Sequence, residues 1–146
     1  MKNLSELYHE MIMDHNKYPH NYYEMVNYDI KVKGYNPFCG DSFMIYLKFF
    51  KSNQKVIEKI SFLGIGCAIS KASASLMTDL VLKKSIFQAH KLFNTVYNML
   101  INRIIDKEIP GKLAVLSGIK YHPSRIKCAI LAWNALNKIL IDRMSL

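Results

Sequence analysis

The sequence lacks the features that mark a secreted or membrane-bound protein. Its three cysteines are an odd number without close pairing, and the N-terminus shows no charged segment followed by a long apolar one. Both absences argue against a secreted disulfide framework and predict a protein of the reducing cytosol. No apolar run approaches the ~20 residues that cross a bilayer, so we expect a soluble chain without a membrane partner.

A dense basic tract is also absent, although the net charge is +9, from 20 Lys and Arg against 11 Asp and Glu. Excess positive charge suits nucleic acid or an acidic protein partner. The lysines, however, are scattered from Lys2 through Lys107 to Lys120 and belong to no recognisable nucleic-acid module. A solvated face explains them better, and no nucleic-acid partner is predicted.

Helix signals recur along the chain of 146 residues, which is long enough for one domain, expected over residues 1–146, with a buried core. Asn3, with Glu6 three residues later, is typical of a helix N-cap, and this helix is expected to stop before Pro19. Ser85 with Gln88 repeats the pattern. Apolar side chains at three- and four-residue spacing support both helices, and further helices are expected in the second half of the chain.

Four histidines, His9, His15, His20 and His90, are candidates for functional groups. His15 continues the apolar stripe of the first helix, and His9 and His20 lie near exposed positions. An ordinary structural role is therefore predicted for these three. His90 is predicted to face solvent.

Strand signals occupy the part of the chain between the first two helices. Partial alternation predicts a strand over residues 22–34, strict alternation predicts a second over 42–50, and a third is expected over 56–63. Residues 51–54 have hairpin-turn composition. The three segments predict an antiparallel meander, with residues 36–41 as the loop between its first two strands.

That loop, NPFCGD, carries two candidate metal ligands. Cys39 and Asp41 lie two residues apart and are bent together by Gly40. A thiolate and a carboxylate at this spacing make half of a tetrahedral metal site.

Two distant cysteines are the candidates for the other half. Cys67 follows the third predicted strand, and Cys128 lies in the opening turns of the last helix, for which Pro123 suits the first position. A helix start lowers the pKa of a thiol and favours thiolate. Arg125 is one turn before Cys128 and projects to the same side. From spacing alone, an alternative stays open: three free cysteines that act as small apolar residues.

Four blocks in order carry a resemblance to a known family: LYHEMIMDH, NPFCGD, GIGCAISKASASLMT, and LAVLSG followed by HPSRIKCAILAWNAL. They closely resemble the U-type iron–sulfur cluster assembly proteins, the IscU/SufU/NifU family. The chain looks most like the SufU branch, which carries a helical insertion where this chain has residues 85–118. The Leu-Pro-Pro-Val-Lys motif of IscU-type members is missing, and Lys127 stands where they have a histidine.

The resemblance implies an α+β fold, with a three-stranded antiparallel sheet packed by about five helices. It implies that Cys39, Asp41, Cys67 and Cys128 hold Zn²⁺, and that the protein takes persulfide sulfur from a cysteine desulfurase. The sulfur would then pass to downstream iron–sulfur assembly proteins or apo acceptors. Cys39 is the expected acceptor because its loop offers more freedom than a helix start, and Arg125 is expected to stabilise the thiolate or persulfide or to dock the partner.

Two alternatives accompany this prediction. The same four ligands suit a scaffold that assembles and transfers a [2Fe–2S] or [4Fe–4S] cluster. Asp41 has a second interpretation as a simple turn residue, in which case His122 is the nearest candidate to Cys128 for a fourth ligand.

Overall fold

A three-stranded antiparallel sheet and five α-helices form the fold in the computed structural model, which describes residues 3–105 and 109–146. The elements are α1 (Leu4–Lys17), β1 (Ile30–Tyr35), β2 (Ser42–Phe49), β3 (Ile57–Ile65), α2 (Ala68–Val81), α3 (Ile86–Leu100), α4 (Gly111–Leu116) and α5 (Ile126–Met144). Short 3₁₀ helices, Ser117–Tyr121 and Pro123–Arg125, connect α4 to α5. The predicted α+β class is confirmed, whereas the single domain over residues 1–146 stays a prediction. Lys2 and Lys107 lie outside the described residues.

The predicted helix caps form as hydrogen bonds. The Asn3 side chain accepts from the Glu6 backbone N–H at 2.9 Å, and α1 ends before Pro19. At α3, the Ser85 side chain accepts from the Gln88 N–H at 3.1 Å, and the Gln88 side chain accepts from the Ser85 N–H at 2.9 Å. These local pairs satisfy backbone donors that a helix start leaves free.

The sheet has the order β1-β2-β3, with both neighbouring pairs antiparallel. One face of β2 is buried in the core, as its alternation predicts. Its members are Phe43, Ile45, Leu47 and Phe49. The register places Ser42, the first residue of β2, opposite Tyr35 on β1 and Ile65 on β3. The β1–β2 loop and the end of β3 therefore lie at the same end of the sheet.

The first strand is shorter than predicted, running over Ile30–Tyr35 rather than 22–34. Asn21 has a positive φ of 54°, and Tyr22 makes only an isolated parallel bridge with Phe62. The aromatic residues of this segment resemble a strand in composition, but the chain turns before it can pair along β2.

Helix α5 packs against α2, α3 and β1. Its Trp133 is fully buried, and a Cβ placed on Gly34 of β1 would lie 3.2 Å from the Cβ of Ala135. This close approach packs the middle of α5 against the end of β1. In the described ranges no helix combines the length and apolar character needed to cross a membrane.

The start of α5 and the environment of His90 differ from the predictions. Pro123 opens a 3₁₀ turn, in which the Arg125 N–H donates to the His122 carbonyl at 2.8 Å, and α5 begins only at Ile126. Proline suits the first turn of either helix type, because the N–H groups of that turn have no partner within the helix and proline has no N–H to leave unpaired. His90 is half-buried and contacts the Asn137 side-chain oxygen at 2.8 Å, so it does not simply face solvent.

Candidate metal centre

The β1–β2 loop is a tight turn that brings Cys39 and Asp41 to one side. The Asn36 N–H donates to the Asp41 carbonyl at 2.9 Å, and the Gly40 N–H donates to the Asn36 carbonyl at 2.8 Å. The Asn36 side chain accepts from the Phe38 N–H at 3.0 Å. Gly40 has φ +77°, a conformation that glycine adopts without a steric penalty. The loop closes because its sequence contains an asparagine and a glycine at these positions.

Cys67 is the N-cap residue of α2. Its Sγ accepts from the Ser70 N–H at 3.4 Å, and its own backbone N–H donates to Asp41 Oδ1 at 3.1 Å. The carboxylate therefore lies at the start of α2, where the free N–H groups and the helix dipole favour negative charge. The predicted position of Cys67 at a helix start is confirmed.

Cys128 is the third residue of α5 and is buried, with 5% of its surface exposed. Its Sγ lies 3.9 Å from the Sγ of Cys39, although the two residues are 89 positions apart in the chain. Candidate ligand atoms of Cys39, Asp41 and Cys128 all lie within 4.8 Å of one another. Three of the four predicted ligands thus form one compact group.

Cys67 lies next to this group but is not one of the three residues whose candidate ligand atoms all lie within 4.8 Å of one another. Its Sγ lies 3.4 Å from the Ser70 hydroxyl, and its charge acts on the Cys128 thiol. The structure places Cys67 beside the other three, but turned toward its own helix start. The three cysteines are free thiols, as expected for a chain without a disulfide framework.

The electrostatics of the group favour a cation. Burial and the negative charge of the neighbouring Cys67 raise the pKa of the Cys128 thiol to about 12, so the lowered pKa predicted from its place near a helix start is wrong for this cysteine. Burial alone would also raise the pKa of Asp41, but hydrogen bonds from Ser70, Cys39, the Cys67 backbone and Cys128 hold that pKa below its ordinary value. The Asp41 carboxylate is therefore ionised beside thiols, and a further negative charge on the Cys128 thiol is unfavourable. A divalent cation reverses this balance by stabilising thiolate.

Ser70 is a member of the site that the sequence analysis missed. It is buried, its hydroxyl donates to Asp41 Oδ2, and it contacts the Cys67 Sγ. The useful signal was its spacing, because a residue three positions after an N-cap lies on the same side of the helix start.

Replacing Ser70 with alanine is expected to lower the free energy of unfolding of the metal-free protein by about 2 kcal/mol, since a buried hydrogen bond to a charged group is lost. Zinc affinity should fall about tenfold because Asp41 loses the contact that orients it. Competition with a chromogenic chelator measures the affinity, and chemical denaturation measures the stability.

Ser73→Ala is the matched control. The Ser73 hydroxyl donates to the Ala129 carbonyl at 2.6 Å and accepts from Trp133 Nε1 at 3.2 Å, and neither partner is a candidate metal ligand. This variant should lose comparable stability but keep the zinc affinity of the unmodified protein. Equal losses of affinity in the two variants would contradict the role given to Ser70.

Arg125 and His122 flank the site without joining the ligand group. Both are exposed, and the His122 ring stacks on the ring of Tyr8 with centroids 6.0 Å apart. Burial raises the pKa of Tyr8, and the charge of Arg125 opposes that effect while Cys67 adds to it. Arg125 and Cys67 therefore lie near the same tyrosine. The functional role of Arg125 stays a prediction.

Fold and site together define a class: an α+β protein that presents thiols and one carboxylate from a sheet loop and two helix starts as a candidate metal centre. The profile of the NifU-like N terminal domain family matches residues 7–142, and the chain belongs to this family. The predicted resemblance to the IscU/SufU/NifU proteins is confirmed.

Individual relatives span most of the chain. It is 39% identical to the zinc-dependent sulfurtransferase SufU of Bacillus subtilis (strain 168) over 137 residues, 93% of this chain and 90% of the relative. It is 37% identical to the iron–sulfur cluster assembly scaffold protein IscU of Streptococcus pyogenes serotype M1 over 142 residues, 96% and 86% of the two chains. The crystal structure of the SUF-system protein FiSufU from Fervidobacterium islandicum AW-1 matches with a TM-score of 0.83 at 30% identity, covering 90% of this chain and 94% of FiSufU.

Proposed function

We propose that this chain is a zinc-dependent sulfur carrier of iron–sulfur cluster assembly, which accepts persulfide sulfur from a cysteine desulfurase and passes it on. The observation that carries the proposal is the contrast between Cys39 and Cys128. Their sulfur atoms are 3.9 Å apart, yet Cys39 is exposed and Cys128 is buried. One thiol is therefore open to a partner while its neighbour is held inside the protein.

The donor set fits zinc. Tetrahedral coordination with Zn–S bonds of about 2.3 Å separates two sulfur ligands by about 3.8 Å, close to the 3.9 Å between Cys39 and Cys128. We assign Cys39, Asp41, Cys67 and Cys128 as the ligands, with Cys67 turning from its cap contact with Ser70. Bound zinc would keep the thiols deprotonated and protected from oxidation.

Cys39 is the proposed acceptor in the transfer step. Its thiolate attacks the outer sulfur of the desulfurase persulfide, and a new S–S bond forms on Cys39. The S–S bond of the donor breaks at the same time, and the desulfurase cysteine leaves as a thiolate. No external oxidant or reductant is consumed. The resulting Cys39 persulfide is then available to downstream assembly proteins or apo acceptors.

Two neighbouring groups suit a partner at Cys39. The Phe38 side chain is 86% exposed, and Lys127 Nζ lies 4.9 Å from its ring centroid. Exposed Arg125 adds a positive charge three residues before Cys128, suited to stabilising a thiolate or persulfide or to docking the desulfurase. We also propose that the protein works in the reducing cytosol, because transfer by this route needs free thiols.

A scaffold for a [2Fe–2S] or [4Fe–4S] cluster is the second candidate function. Its support is the donor set itself, since three cysteines and one aspartate also suit iron, together with the IscU relative that is named a scaffold. The exposed Cys39 at the edge of the group would serve cluster transfer equally well. The two functions differ in the metal that the protein carries and in whether sulfur arrives before iron.

Metal content and sulfur transfer distinguish the two. Protein purified without added metal is expected to carry about one zinc ion per chain, since four ligands make one site. It should also accept labelled sulfur from a desulfurase supplied with ³⁵S-cysteine. Iron and sulfide in place of zinc would favour the scaffold. Zinc below about a tenth of an equivalent, with no iron and an intact fold, would overturn both.

Asp41→Ala tests the ligand that is most easily mistaken for a turn residue. Loss of the carboxylate is expected to lower zinc affinity tenfold or more. Even the loss of a hydrogen bond that supports a metal ligand has an effect of about this size. Zinc titration against a competing chelator checks this. Asp29→Ala is the control, because the Asp29 carboxylate accepts from the Phe49 N–H at 2.7 Å, in a turn without a metal role. Unchanged zinc affinity in the Asp41 variant would show that Asp41 is a turn residue and not a ligand.

A further inference from the structure

A second group of potential metal ligands lies at the far end of α2. It comprises His15 in the last turn of α1, His20 in the following turn, and Asp79 near the end of α2, with candidate ligand atoms that all lie within 4.8 Å of one another. Asp79 is twelve residues beyond Cys67 along α2, which corresponds to about 18 Å of helix. This group is therefore separate from the thiol site.

The His15 ring is held by a buried serine. Its Nδ1 lies 2.7 Å from the Ser75 hydroxyl oxygen, which also accepts from the His20 backbone N–H at 2.7 Å. When Nδ1–H donates to Ser75, the Nε2 lone pair of His15 is free. Histidine ligands in metal sites are commonly oriented in this way, by a hydrogen bond from the nitrogen that does not bind the metal.

His20 and Asp79 are held with comparable precision. His20 Nδ1 contacts Asp79 Oδ2 at 2.5 Å, while the Asn21 side chain donates to Asp79 Oδ1 at 3.4 Å and to the Thr78 hydroxyl at 2.9 Å. The His15 and His20 rings have centroids 4.6 Å apart. The side chain of His20 is 49% exposed, so solvent and ions reach the group. Supporting contacts thus orient all three candidate ligands before any ion binds.

We propose that His15, His20 and Asp79 form a second site, which binds a divalent first-row transition-metal ion. Two imidazoles and one carboxylate suit Zn²⁺, Co²⁺, Ni²⁺ or Fe²⁺, and the absence of sulfur distinguishes this set from the thiol site. Three protein ligands leave at least one coordination position for water. Metal at this site ties the end of α1 to the end of α2, replacing the direct His20–Asp79 contact with bonds through the ion.

Cobalt titration of the full chain separates the two sites. Co²⁺ bound to thiolates produces an intense sulfur-to-metal charge-transfer band in the near ultraviolet, whereas Co²⁺ on imidazole and carboxylate produces only weak visible bands. We expect a second equivalent of Co²⁺ to bind without further growth of the near-ultraviolet band. Failure of the thiol site would remove the intense band alone, so the outcomes for the two sites are distinguishable.

His20→Gln is the diagnostic variant, and His9→Gln is its matched control on the exposed surface of α1. The His20 variant is expected to lose affinity for the second equivalent by at least about tenfold and to keep the near-ultraviolet band. The His9 variant should bind both equivalents as the unmodified protein does. No second equivalent in the unmodified protein, or one that is equally strong in all three proteins, would overturn the proposal.

A second measurement avoids any dependence on how the variants fold. In unmodified protein with the thiol site filled by Zn²⁺, added Co²⁺ should broaden the ring proton signals of His15 and His20 at substoichiometric amounts. The ring signals of His90, which contacts Asn137 on α5, should broaden later. Simultaneous broadening of all histidine signals would indicate non-specific binding and would contradict the assignment.

Discussion

Removing bound zinc is expected to lower the free energy of unfolding by about 4 kcal/mol or more, the contribution of a ligand present at about a thousand times its Kd. The proposed site joins the β1–β2 loop to the starts of α2 and α5, so only the folded chain brings its ligands together. For a chain of this size, the loss corresponds to a decrease of about 10–20 °C in Tm. Calorimetry with and without a strong chelator measures it, and added zinc should restore the original Tm.

Cys128→Ala provides the control for that experiment. This variant lacks the buried one of the four proposed ligands and should melt at the same temperature with and without chelator. A chelator effect as large in the variant as in the unmodified protein would assign the effect to some other ion. Equal melting curves for zinc-loaded and zinc-free unmodified protein would contradict a zinc site that joins these three segments.

Replacing Cys39 with serine is expected to abolish sulfur acceptance from the desulfurase, a loss of at least about a hundredfold, since a hydroxyl is not a nucleophile toward the persulfide at neutral pH. Cys39 is exposed, Cys67 is half-buried and Cys128 is buried, so an incoming persulfide reaches Cys39 first. Labelled sulfur retained on the protein measures acceptance.

Loss of zinc is a competing explanation, because each cysteine is also a proposed ligand. Cys67→Ser and Cys128→Ser remove one ligand each while keeping Cys39, and they should retain part of the sulfur acceptance. Mass spectrometry of the unmodified protein after one round of transfer should locate the additional sulfur on the peptide that contains Cys39. Additional sulfur on Cys67 or Cys128 instead would contradict the assignment.

Local features of the fold were predictable because their causes lie within a few residues. The caps at Asn3 and Ser85 formed as expected, since each depends on a side chain and an N–H three positions away. The alternation in β2 identified its buried face for the same reason. The last helix was predicted to start at Pro123, three residues before the observed start of α5, because proline suits the first turn of a 3₁₀ helix and of an α-helix equally.

Packing between distant segments decided the rest. Nothing in residues 22–29 shows that the chain turns at Asn21 before it can pair along β2. The contact between Ser70 and Asp41 likewise depends on where the β1–β2 loop meets α2. The sequence also left His15 and His20 as ordinary structural residues, since the aspartate that completes their group is 59 positions beyond His20.

The family, the α+β class and the candidate metal-binding residues could all be read from the sequence, because residue type and local spacing carry that information. The arrangement of those residues depends on the tertiary structure. It placed Cys39 in solvent and Cys128 in the core with their sulfur atoms 3.9 Å apart, and it turned Cys67 toward Ser70. The physical reason is that exposure and the distance between remote side chains follow from how α2 and α5 pack around the sheet, which no short stretch of the chain specifies.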